Sequence, residues 1–264
     1  MTSDSPGGAP VPSDTSPGGA GSSARGTGSA LTLGLGGAVA VALAVTVVLG
    51  LTLPATVEQG AYSRLIAIHP GLAWVSYVSF AVTAAASALW LWTRTRSARW
   101  DHVAGASAEI GVVFTALTLA TGSIWGRPVW GVWWVWDARL TLSALMLAIY
   151  LGYLALRRVP DQPDVRARRA AVTALLAVTV VPLNHFAVTW WRTLHQGRSL
   201  AQLTPEDSLD GAFIGAMLVG FVAMTLLYAW LLVHRVRVAR LEEQVEAGEL
   251  ATAIDERRRE EVLA

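Results

Sequence analysis

Six long apolar runs govern what this chain can fold into. They cover residues 26–57, 65–93, 103–124, 140–156, 170–189 and 211–233. Inside a bilayer every backbone N–H and C=O must pair within its own segment, so a run of about 18 apolar residues or more forms a helix. Only 140–156 is marginal and must draw on its flanks to span. The expected fold is an all-α integral membrane protein with six transmembrane helices. A charged fraction of 15% and a mean hydropathy of +0.47 agree with that class, since soluble domains carry about 25% charged residues.

Arginine distribution orients the helices. The connection 94–102 holds Arg94, Arg96 and Arg99, and 157–169 holds Arg157, Arg158, Arg166, Arg168 and Arg169. The alternate connections hold only Arg64, then Arg127 and Arg139, then Arg192 and Arg198. By the positive-inside rule both termini are expected to be cytoplasmic, with 55–68, 125–139 and 186–209 facing outward. Residues 1–29 are rich in Gly, Ser and Pro and read as a disordered tail. The first span has no charged segment directly before it and is expected to be retained rather than cleaved. The membrane domain is expected to cover 30–234, and the charged segment 235–264 to form a solvated or weakly coiled-coil cytoplasmic helix.

Several chemistries are excluded by absence. There is no Cys, which removes thiolate ligation, iron–sulfur clusters and disulfide relay. All 20 basic residues are Arg, which removes a P-loop lysine and a Schiff-base lysine. A net charge of +1 gives no reason to expect a nucleic-acid partner. The unusual count is 12 Trp, five of them crowded into WGRPVWGVWWVWDAR at 125–139.

Three of the five histidines fall on the side of that tryptophan-rich loop: His69, His185 and His195. If Pro128 begins a short interfacial helix, then Trp130, Trp133, Trp134 and Asp137 share one face, with Trp125 and Trp136 beside them. Such a shelf suits a large planar apolar ligand. An aromatic belt at the membrane boundary is the alternative reading. Imidazole is a standard axial ligand to haem iron, which makes His69 and His185 candidate ligands, and Arg127 and Arg139 candidate partners for propionates. Hydrogen bonding at a cap or in a loop remains the alternative for each histidine taken singly. Glu109 is the one carboxylate within a run, so it is either functional or paired with a neighbouring helix.

The run GSIWGRPVWGVWWVWDARLT at 122–141 resembles the WWD signature of the CcmC/CcmF/CcsA superfamily, which handles haem in c-type cytochrome biogenesis. The stretches QGAYSRLIAIHPGLAW at 59–74 and NHFAVTWWRTLHQG at 184–197 are most similar to the CcmC family within it. The similarity covers roughly 55–235. It implies a haem-binding and haem-transfer protein of the cytoplasmic (inner) membrane rather than an enzyme. In it His69 and His185 would be axial ligands to haem b (iron protoporphyrin IX) beside the WWD loop, on the periplasmic side. The implied partners are a CcmE-type haem chaperone, CcmA- and CcmB-like ATPase and permease subunits of an ABC-type complex, a small CcmD-like membrane subunit, and membrane lipid. One porphyrin edge would stay open to a nucleophilic side chain of the chaperone. The alternatives are a cytochrome c haem lyase of the same superfamily, or a structural permease subunit.

Overall fold

The computed structural model describes residues 29–195 and 211–263. The segment expected to be a disordered tail (apart from Ser29), and Arg198, lie outside the described residues. Among those residues six helices are long and apolar enough to cross a membrane. In chain order the helices are α1 (Ala30–Thr52), α2 (His69–Leu91), α3 (Ala98–Trp130), α4 (Ala138–Arg157), α5 (Pro163–Ala177), α6 (Val180–Trp190) and α7 (Gly211–Leu263). α5 and α6 together make one crossing, and a 3-10 segment, Ala61–Ala67, leads directly into α2.

Local sequence sets each boundary. Ser29 caps α1 by accepting from the Thr32 N–H. Leu53 ends that helix in an extended conformation because it precedes Pro54. Pro70 occupies the first turn of α2, where its missing N–H costs no helical bond. The α5/α6 break falls just before Pro182. Proline cannot donate to the Val178 carbonyl, which instead accepts from Val181 N at 3.0 Å, a tighter turn. The charged tail is one helix with the last span, so the expected domain boundary at 234 falls inside α7.

The tryptophan-rich loop departs from its expected form. No separate helix starts at Pro128; α3 runs through that residue and stops at Gly131, whose φ of 78° is a left-handed cap. Residues 131–137 are non-helical, so the helical spacing does not place Trp133, Trp134 and Asp137 on one face with Trp130. A proline near the last turn forfeits a single backbone bond, and the apolar helix below it absorbs that loss.

Helices α2 and α3 form the centre of the bundle, with Phe80 stacked on Tyr150 of α4 at 3.5 Å between ring centroids. Where backbones approach closely, polar side chains close the gaps: Ser107 Oγ lies 2.7 Å from both the Ser79 carbonyl and the Tyr228 hydroxyl. Small residues at such crossings are how helices pack in a bilayer, where hydrophobicity itself gives no preference for protein over lipid. Ion pairs gather at the end of the bundle where α3 begins. Arg157 grips Asp101 bidentately at 2.6 and 2.9 Å, and beside it His102 Nε2 lies 3.2 Å from a Glu243 carboxylate oxygen. Glu109 pairs with Arg235 of α7, giving this carboxylate a structural partner.

Candidate functional site

At the other end of the bundle α2, α3, α4, α6 and α7 surround a cavity of about 480 Å³. Three imidazoles line it: His69, His185 and His195. His69 opens α2 and is fixed from two sides. Its Nδ1 lies 2.9 Å from the Thr121 hydroxyl, and Trp125 presents its ring at 88° with centroids 5.6 Å apart. Gly122 gives the imidazole room, since a Cβ there would come within 3.0 Å of His69 Cε1. His185 stands on the short helix α6, beyond the proline break, edge-on to Tyr77 of α2 at 6.0 Å. His195 follows α6 and tilts against Trp130 at 6.4 Å.

The sequence-expected residues divide between wall, support and surface. Trp125, Trp130, Trp134 and Arg139 line the cavity with the histidines. Trp125 donates to Gln59 Oε1 at 3.0 Å, tying α3 to the segment before α2. Arg139 donates to the Asn184 carbonyl at 2.9 Å and the His185 carbonyl at 3.3 Å, so the end of α6 is held by the start of α4. Asp137 is a support: Oδ1 accepts from Leu140 N at 2.8 Å as the N-cap of α4, and Oδ2 accepts from Leu194 N at 3.1 Å. Arg127 donates to the Gly131 carbonyl and closes the turn after α3. Trp133 and Trp136 lie outside the cavity lining and are 58% and 78% exposed, although Trp136 sits edge-on to Trp134 at 5.4 Å.

Sequence reasoning missed Trp74, Tyr77, Thr121 and Asn184. Trp74 and Tyr77 lie within or next to a stretch already singled out, but their orientation toward the cavity follows only from the rotation of α2. Among the described residues, two buried polar atoms on the wall have no hydrogen-bond partner, the Trp134 indole N–H and Asn184 Oδ1. A buried donor left unmade costs about 1–3 kcal/mol, so a group that accepts from the Trp134 N–H would bind favourably there. Asp137→Ala should lower stability by about 1 kcal/mol through loss of the cap. It should also raise amide exchange at 191–195, and exchange mass spectrometry with a thermal scan checks both.

These features define a multi-span membrane protein with an aromatic cavity that gathers imidazoles at one end of its bundle. The family model described as "Heme exporter protein C" matches residues 22–251. "Heme exporter protein C" of Haemophilus influenzae is 37% identical over 197 residues, covering 73% of this chain and 77% of its own. The protein of that name from Bradyrhizobium diazoefficiens is 40% identical over 200 residues, covering 76% and 75%. A "Putative cytochrome c biosynthesis ccmC-like mitochondrial protein" of Arabidopsis thaliana is 32% identical over 203 residues, covering 74% and 75%. The chain belongs to the CcmC family.

Proposed function

We propose that this protein handles haem for c-type cytochrome maturation, holding haem b in the cavity and passing it to a CcmE-type chaperone. The observation that carries the reading is the convergence of His69, His185, Trp125, Trp130, Trp134 and Arg139 on one cavity in a chain of the CcmC family. The donor set fits the ligand. Neutral imidazole nitrogens suit haem iron, indole faces suit a porphyrin plane, and Arg139 with the Trp134 N–H, unpartnered among the described residues, suits carboxylates. Bound haem supplies the iron and the conjugated ring; the chain supplies orientation and exclusion of water. The protein itself performs no covalent chemistry in this reading. ATP hydrolysis belongs to CcmA-like partners working with CcmB- and CcmD-like membrane subunits.

The arginine-rich connections 94–102 and 157–169 lie at the opposite end of the bundle, which by the positive-inside rule supports a periplasmic cavity in the inner membrane. The ion-paired end, with Arg157, Arg235 and Arg237, then faces the cytoplasm together with the charged extension of α7. Hemin titrated into the detergent-purified protein, followed by the Soret band and tryptophan quenching, tests the reading. Saturation at one haem per chain is expected. Trp130→Ala should weaken binding about tenfold, equivalent to about 1.4 kcal/mol. Absence of saturable binding would overturn the reading, and so would direct attachment of haem to apocytochrome by the protein alone.

A further inference from the structure

The hydrogen bond between His69 and Thr121, read with the other contacts of that hydroxyl, points to the ring nitrogen that donates. Thr121 Oγ lies 2.9 Å from His69 Nδ1 and 2.8 Å from the Leu117 carbonyl one turn earlier on α3. A carbonyl oxygen only accepts, and a hydroxyl has a single proton. With that proton given to Leu117 at the shorter distance, the Thr121 oxygen accepts, and the geometry assigns the hydrogen to His69 Nδ1. The lone pair then resides on Nε2.

We propose that Thr121 is a positioning residue for haem capture, holding His69 as the Nδ1–H tautomer with Nε2 free to bind iron. This rests on the reading of His69 as an iron ligand. Three features of α3 act on the same ring. Thr121 fixes the tautomer, Gly122 leaves space for the Cε1 edge, and Trp125 blocks rotation from the other side. All three lie within a single turn or so of one helix, so the ring is set by rigid backbone rather than by a loop. An acceptor on the distal nitrogen also makes an imidazole a stronger electron donor, which favours ferric over ferrous iron. Because the acceptor is a neutral hydroxyl, this push is weaker than a carboxylate would give. That suits a protein that must later release its ligand.

The proposal separates Thr121→Val, which keeps the shape and loses the acceptor, from Thr121→Ser, which keeps the acceptor. Nitrogen-15 NMR of histidine-labelled, haem-free protein reads the tautomer, with the His69 signals assigned by their loss in His69→Gln. The wild type and Thr121→Ser should give Nδ1–H, and Thr121→Val should shift toward Nε2–H. In the hemin-loaded protein Thr121→Val should lower affinity about tenfold and raise the midpoint potential, while Thr121→Ser restores both. If Thr121→Val leaves tautomer and potential unchanged while His69→Gln alters the haem spectrum, the proposal falls and the haem reading stands. If His69→Gln leaves the haem spectrum unchanged, the iron-ligand reading has failed and this proposal falls with it.

Discussion

Replacing either His69 or His185 by alanine is expected to abolish the low-spin spectrum of the haem-loaded protein and to weaken haem retention about 100-fold, some 2.7 kcal/mol. The two side chains come from different helices. His69 is set by α3 through Thr121, whereas His185 is set by Tyr77 beside it and by Arg139 on the carbonyls at its own position and the one before. Neither imidazole positions the other, so each single loss should leave a five-coordinate, high-spin haem with the remaining ligand. Adding free imidazole to His69→Gly or His185→Gly should restore the low-spin bands, because the cavity keeps its shape. His195 lines the same cavity and is the internal comparison. Its replacement by alanine should keep the low-spin spectrum, and the reverse pattern, with His195 essential and His185 dispensable, would reassign the second ligand. Visible spectra of the purified variants decide among these outcomes.

Six crossings were legible because lipid leaves the backbone no choice but helix, and apolar length alone then counts the spans. The grouping of histidines and tryptophans at one end was legible for a related reason. Once the spans are counted, every residue near a helix end is assigned to one side or the other. The conformation of the tryptophan loop was not. WGRPVWGVWWVWDAR is compatible with a helical face beginning at Pro128, and also with what the structure adopts, a helix ending at Gly131 followed by non-helical chain. The choice depends on packing below the loop and on the tie from Arg127 to the Gly131 carbonyl, neither of which has a periodic signature.

The supporting residues were hidden by the same limit. Thr121 is one of several threonines and serines on α3, and an isolated hydroxyl within a span ordinarily bonds its own helix, as Thr115 does to Gly111. What distinguishes Thr121 is that its second lone pair meets His69, a contact set by the relative rotation of α2 and α3. Asp137 shows the converse. A carboxylate beside four tryptophans looked like part of the ligand surface, yet both its oxygens take backbone N–H groups, of Leu140 and Leu194. Helix capping is readable from sequence only when the helix start is known, and here that start lay inside the loop whose conformation was in question.

The second large effect is expected far from any ligand atom, at Gly220 on α7. A Cβ there would overlap the Ala67 carbonyl, and that obstacle is backbone, so no side chain can swing away to relieve it. Ala67 ends the 3-10 segment that leads into α2, two residues before His69. Either α7 moves outward or the 61–67 segment does, and its packing against Leu53, Phe213 and Met217 opens in both cases. Overpacking of this kind costs about 3 kcal/mol, the upper end for a single inserted methyl. Gly220→Ala should therefore lower the thermal midpoint by several degrees, about 2–4 °C for each kcal/mol in a chain of this size. It should also weaken haem binding, because His69 moves with the segment. Gly215→Ala is the matched control: it lies on the same helix, and a Cβ there meets nothing within 4 Å. It should leave the midpoint and the Soret band unchanged. A Gly220→Ala variant as stable as Gly215→Ala would mean that α7 does not press on the start of α2. A variant that lost stability but kept full haem affinity would mean that Thr121 and Trp125 alone suffice to hold His69 in place.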